Sequence, residues 1–147
     1  MYMIMQFEKL SARERDLLMK APALISVHAS LDVNQINAVR KADAIKLAHL
    51  KTFTADALLI PYYIEVEQVF KEQFEAIVKQ YTPLDREKKY MLIKEIESIH
   101  PILKKLDNVY AHSLRQSLNK FARHVQHADR SVFEYFIFPY PLPGLTD

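Results

Sequence analysis

The stretch Leu103-Lys-Lys-Leu-Asp-Asn-Val-Tyr-Ala-His-Ser-Leu-Arg-Gln-Ser-Leu-Asn-Lys-Phe-Ala-Arg-His-Val-Gln-His-Ala128 decides the fold. Its apolar residues Leu103, Leu106, Tyr110, Leu114, Phe121, Val125 and Ala128 recur every three or four positions. That is the period of a helix with one face buried, and nothing in the stretch alternates as a half-buried strand does. The same spacing runs through Tyr62, Val66, Val69, Phe70, Phe74, Ile77, Val78 and Tyr81. Leu92, Ile96 and Ile99 repeat it between the two.

Working outward, the punctuation between these stripes suits helices. The 147 residues hold one glycine, Gly144, so tight hairpin turns and glycine-rich phosphate loops cannot be written before the last four residues. Ser11-Ala-Arg-Glu14 is a capping box opening a helix from about Ala12 to Lys20. Pro22 marks either a kink or the first turn of a second helix carrying Leu24, Ile25, Val27 and Leu31. Asp32, Asn34 and Asn37 form a polar break. Ile36, Val39, Ala42, Asp43, Leu47 and Leu50 then trace a helix ending near Lys51. Thr54 is placed to cap a short turn. Pro61 opens the next helix, Thr82-Pro83 stops it, and Asp85 caps its successor. Pro101 is a kink or, with Ser98 as cap, a first-turn residue of the long helix that follows. Asp129 caps a last short helix through Phe136.

No glycine- or serine-rich linker divides the chain, so the expectation is an all-α fold. It is one compact domain over residues 1–147, of roughly six to eight helices, ending in an extended proline-rich tail over 137–147. The tail and its approach carry Phe133, Tyr135, Phe136, Ile137, Phe138, Tyr140 and Leu142, an apolar segment expected to close over a groove of its own domain rather than stay in water.

Composition narrows the function. Twenty Lys and Arg against 18 Asp and Glu give a formal charge of +2, too even for a dedicated nucleic-acid binder. The absence of cysteine excludes disulfides, thiolate metal sites and a cysteine nucleophile. No apolar run is long enough to span a bilayer, and Met1–Phe7 lacks a basic leader region, so a cytoplasmic location is expected.

Candidate chemistry is sparse. Glu97-x-x-His100 has the spacing of a di-iron ligand pair but lacks its second copy. His124 and His127 stand one turn apart and are a candidate imidazole pair for a transition metal, or simply cations placed at a helix C-terminus. His28, His49 and His112 are isolated. Glu65, Glu72 and Glu75 line one helix face and Arg115, Lys120, Arg123 and His124 another, stripes that suit solvated faces or oppositely charged partners. No Gly-x-Ser-x-Gly elbow or acid/base couple stands out, so no catalytic residue is assigned and the chain is not read as an enzyme.

Two segments carry a likeness: Leu10-Ser-Ala-Arg-Glu-Arg-Asp-Leu-Leu-Met-Lys-Ala-Pro-Ala-Leu-Ile-Ser-Val27 and Ala44-Ile-Lys-Leu-Ala-His-Leu-Lys-Thr-Phe-Thr-Ala-Asp56. A helix running into Ala-Pro, then a polar turn, then a charged helix resembles the TerB-like family associated with tellurite resistance. The resemblance implies a compact helical domain, cytoplasmic or membrane-associated stress-response roles and a divalent-cation site of clustered acids; the chain is read as a non-catalytic module that acts through contacts with a protein partner or a second copy. The matching turn here, Ala29-Ser-Leu-Asp-Val-Asn-Gln-Ile-Asn37, lacks the family's glycine and matches its acids only at Asp32. A hard cation wants several charged oxygens, so the expected cofactor is none, with a divalent cation at Asp32 as the alternative. Calorimetric titration with Ca²⁺ or Mg²⁺ is therefore expected to show no micromolar binding. Micromolar affinity that vanishes in Asp32→Ala, or that depends on His124 and His127, would reverse the expectation.

Overall fold

In the computed structural model, which describes residues 4–32, 35–36 and 38–125, the chain is a single layer-on-layer helical assembly. Six α-helices follow one another: α1 (Ala12–Ser30), α2 (Ala38–Thr54), α3 (Ile60–Tyr81), α4 (Arg86–Glu97), α5 (Ile99–Leu103) and α6 (Asn108–Val125). Single 3₁₀ turns at Met5–Phe7 and Ala57–Leu59 precede α1 and α3. A two-residue antiparallel ladder, β1 (Leu31–Asp32) with β2 (Gln35–Ile36), sits between α1 and α2; it pairs Leu31 with Ile36 and Asp32 with Gln35. This short antiparallel pairing corrects the expectation that no hairpin forms before Gly144, while the extended tail and the helix capped at Asp129 lie outside the described residues. Among the described residues no helix is long and apolar enough to cross a membrane.

The local signals act where they were expected. Ser11 Oγ accepts from the Glu14 amide at 3.1 Å while Glu14 Oε1 accepts from the Ser11 amide at 2.9 Å, closing the capping box. Asp85 Oδ1 accepts from the Lys88 amide at 2.7 Å. Pro61 stands in the first turn of α3, where its missing N–H has no helical partner to lose. Two expectations are corrected. α2 runs on to Thr54, whose hydroxyl donates back to the Leu50 carbonyl at 2.9 Å instead of capping the next turn. The long last helix begins at Asn108 rather than at Pro101. Asp107 is its cap, accepting from the Val109 and Tyr110 amides, and Pro101 belongs to the short α5.

Helix α1 is the hub: α2, α3, α4, α5 and α6 all pack against it. Residues 21–28, Ala-Pro-Ala-Leu-Ile-Ser-Val-His, are buried without interruption, so the helix turns no side to water there. Ala21, Ala23 and Ser26 are small enough to let neighbours approach on every side. Pro22 lies inside this helix, resolving the choice left by the sequence in favour of one continuous element. A proline at position 22 leaves the Leu18 carbonyl without its i+4 donor, and burial denies it water. The Tyr62 hydroxyl of α3 fills the gap, donating to the Leu18 carbonyl at 2.6 Å. Four residues on, Ser26 Oγ donates to the Pro22 carbonyl at 2.7 Å.

From Tyr62 the core continues as a seam of rings. Phe7 meets Tyr62 and Tyr110 edge-on, each at 6.0 Å; Tyr62 meets Tyr63 edge-on at 5.0 Å. Tyr63 stacks parallel to Phe121 at 6.4 Å, and Phe121 tilts against Phe70. Tyr63 also hydrogen-bonds Ser117 of α6 at 2.6 Å. Each buried ring contributes roughly 1.5–3 kcal/mol relative to exposure. The seam joins the N-terminal turn, α3 and α6 around α1.

Tyr62→Phe keeps the ring and removes only the donor, so it should destabilise the protein by about 1–3 kcal/mol in chemical denaturation, the cost of an unsatisfied buried carbonyl. Alanine at position 22 restores the helical N–H to Leu18. In a Pro22→Ala background the same Tyr62→Phe change should therefore cost less than half as much. Equal costs in the two backgrounds would contradict this account.

Candidate functional site

An open groove of about 730 Å³ lies between the first turns of α1 and the α4–α5 junction, with Arg13, Glu14, Asp16, Lys20, Glu95 and Ser98 on its walls. Two of its acids are already paired. Glu14, held by the capping box, pairs with Lys105 from beyond α5. The Lys105 hydrogen bond, and after it the Ser11 amide, hold the Glu14 carboxyl below the usual carboxylate range. Lys20 of α1 reaches Glu95 of α4 at 2.7 Å, and the other Glu95 oxygen accepts from the Tyr81 hydroxyl at 2.7 Å. Burial first, then this bond to Glu95, raises the Tyr81 phenol well above its ordinary value. Glu14 and Glu95 each hold a cation and a donor, so this side of the groove works as a clasp between helices α1, α3 and α4. A metal ion or a general base would have to break those pairs.

The residues singled out from sequence are dispersed. Asp32 lies in β1 opposite Gln35, and its side chain lies outside what the structure describes. His124 is exposed in the last turn of α6, while His127 lies outside the described residues. Glu97 ends α4 and His100 belongs to α5, so the Glu-x-x-His spacing crosses a helix boundary at Ser98 rather than lying along one face. Among the described residues no three His, Asp or Glu side chains converge as metal ligands. Glu72 and Glu75 of the acidic stripe are exposed and Glu65 is half-buried. In the basic stripe Lys120, Arg123 and His124 are exposed, but Arg115 is half-buried. Lys51, half-buried at the end of α2, has its ammonium drawn below the usual range by burial and then by the nearby charge of Lys120.

A surface missed in sequence lies on the outer side of the α2–α3 pair. The two helices are joined through residues 55–59 alone and pack closely, which makes them an antiparallel hairpin. His49 of α2 pairs with Glu67 of α3 across it. One turn towards the connection on each helix stand Phe53, its ring edge-on to His49 at 5.9 Å, and Ile64. Leu58 follows in the connection itself. Phe53, Leu58 and Ile64 are 61%, 44% and 43% exposed, large apolar side chains at the closed end of the hairpin. Exposed Lys46 and Lys71 lie on the same faces, two turns from Phe53 and Ile64 respectively. The corner thus has an apolar centre and a charged rim. The sequence signal was the lone Phe53 in Lys-Thr-Phe-Thr, one turn past the last core residue of α2.

His28 is a buried titratable group with no place in any of these surfaces. It is 9% exposed on α1, facing Lys89 of α4, and burial first, then the Lys89 charge, push its imidazole down to about 4.

Comparison with protein-family models, with curated proteins and with solved structures finds no match.

The depressed His28 value carries a pH dependence. A histidine kept neutral in the fold contributes its full stability above about pH 6.5, where the unfolded imidazole is neutral too. That contribution is lost as the pH falls towards 4, because the unfolded chain takes up the proton first. The gap from 6.5 to about 4 corresponds to roughly 3 kcal/mol. Melting temperature should fall across that window, and His28→Gln should flatten this part of the profile. An unchanged slope in the variant would assign the acid sensitivity elsewhere.

Proposed function

We propose that this chain is a non-catalytic helical docking module that receives a protein partner on the corner formed by Phe53, Leu58 and Ile64. The observation that supports it is the clustering of three large, exposed apolar side chains at the closed end of one helical hairpin, ringed by Lys46, His49, Glu67 and Lys71. Scattered exposed hydrophobics are ordinary; grouped ones with a polar rim have the layout of a contact surface. An aromatic at the centre is the kind of side chain that carries much of the energy of a protein contact. The helical groups beneath it are fixed by the core, so the surface is presented without a folding cost on binding.

The TerB-like resemblance of Leu10–Val27 and Ala44–Asp56 supplies the biological setting of the proposal: a cytoplasmic module in tellurite resistance or a related stress response. Its second segment contains Phe53, so the likeness and the corner coincide in α2.

The test is site-specific photocrosslinking in the producing cells. A crosslinker at position 58 should capture one discrete protein, and Ile64→Ser should reduce the yield at least fivefold. As exposed positions, both changes should leave the thermal midpoint within the range of about 0.5 kcal/mol typical of surface substitutions. A crosslinker at Tyr90, also exposed but on α4, serves as control. The same adducts at positions 58 and 90, or none at 58, would refute the docking role.

A further inference from the structure

Beside α5, away from the apolar corner, the first two turns of α6 frame a concavity of about 360 Å³. It is lined by Leu103, Lys104, Asn108, Ala111, His112 and Arg115. Asn108, His112 and Arg115 fall at i, i+4 and i+7 and so share one face of α6, with Lys104 approaching from the turn before it. None of the lining residues is a carboxylate. The adjacent acid, Asp107, is committed to the helix start, where its carboxylate accepts from the Val109 and Tyr110 amides at 3.1 and 3.3 Å.

Arg115 is the informative member. It is half-buried, and its Nε is fully shielded from water with no hydrogen-bond partner among the described residues. A guanidinium keeps its charge at any pH the protein meets, so it cannot escape the cost of burial by releasing a proton. A shielded donor without an acceptor is expensive, and natural folds keep few of them. Beneath it lies a void of only about 20 Å³ walled by Ile25, Ile96, Ile99 and Leu118, with His100 at its edge, too small for anything beyond a water molecule. That apolar floor lowers the local dielectric and strengthens the pull of the guanidinium on an anion arriving from the open side.

We propose that this concavity is a binding site for a phosphate group, with Arg115 as its planar donor and Lys104 and His112 as flanking donors. Because Nε is shielded, the contact to phosphate runs through the terminal guanidinium nitrogens, which match two phosphate oxygens at once; a lysine adds a point charge and an imidazole N–H a third direction. Ala111 leaves the floor low enough for the group to sit against the helix. The volume is at the small end of ligand sites and suits a phosphate monoester rather than a dinucleotide. The phosphate belongs either to a small soluble ester or to a lipid headgroup. This proposal does not rest on the docking corner, and either can fail without the other.

The experiment uses the full chain and two probes. Glycerol 3-phosphate is titrated in solution, and sedimentation is measured with phosphatidylcholine vesicles with and without phosphatidic acid. Binding is expected in one arm, weakened about tenfold or more by Arg115→Gln and unchanged by Arg123→Gln, a cation further along the same helix. Binding in the solution arm identifies a soluble ester, and binding confined to phosphatidic acid vesicles identifies a headgroup. Because Arg115 packs against the core, the double variant Lys104→Gln/His112→Gln is measured beside it, and a similar loss is expected there. No binding in either arm, or equal weakening by Arg123→Gln, would overturn the proposal.

Discussion

The bond from the Tyr62 hydroxyl to the Leu18 carbonyl is the constraint around which the domain is arranged. It exists because a proline stands in a helix buried on every side. On a surface helix the freed carbonyl would turn to water, but at the centre of the protein it needs a donor from another element. Supplying one fixes α3 against α1 at a single height, since a shift of one turn along α3 moves the hydroxyl about 5.4 Å away. Once α3 is so placed, the neighbouring rings follow: Phe7 closes the N-terminal side and Tyr63 carries the contact onward to Phe121 and α6. The helices α4 and α5 bury Leu92, Ile96, Ile99, Ile102 and Leu103 in the same core, and the pairs Lys20 with Glu95 and Glu14 with Lys105 add polar ties at its edge.

The helical class and most helix starts were legible because their signals are local. The Ser11–Glu14 box, the Asp85 cap and the first-turn Pro61 act within four residues of themselves. Pro22 was legible only as an ambiguity, since whether a proline ends a helix or sits inside it depends on a donor for the Leu18 carbonyl, and that donor lies forty-four positions from Leu18. Tyr63 escaped the periodic stripe because α3 is buried on two sides, towards α1 and towards α6, whereas the stripe describes one. The Asp107 cap was masked by the apolar spacing from Leu103 to Tyr110, which continues across the break in the helix. Of the candidate site residues, His124 takes the exposed position suited to a helix end and Asp32 falls in a short ladder. Arg115 was visible as one cation in a stripe. What sets it apart, a shielded nitrogen over an apolar floor, depends on α1, α4 and α5 together, and no spacing along α6 encodes that.

The three surfaces differ less in composition than in how far their demands are met. In the groove beside α1, Glu14 and Glu95 are already paired with Lys105 and Lys20. The described residues that line the concavity at Arg115 include no carboxylate, so the unmet requirement there is an anion. At the Phe53 corner the unmet requirement is removal of apolar area from water.

Tyr62 and Tyr63 are consecutive, about 100° apart around α3, and each is tied by its hydroxyl to a different helix. Such an arrangement removes a degree of freedom: α3 cannot roll about its own axis, because a rotation that shortened one bond would draw the other apart. Sliding is blocked by the same two ties. The helices α1, α3 and α6 are thus braced against one another through two consecutive residues of α3.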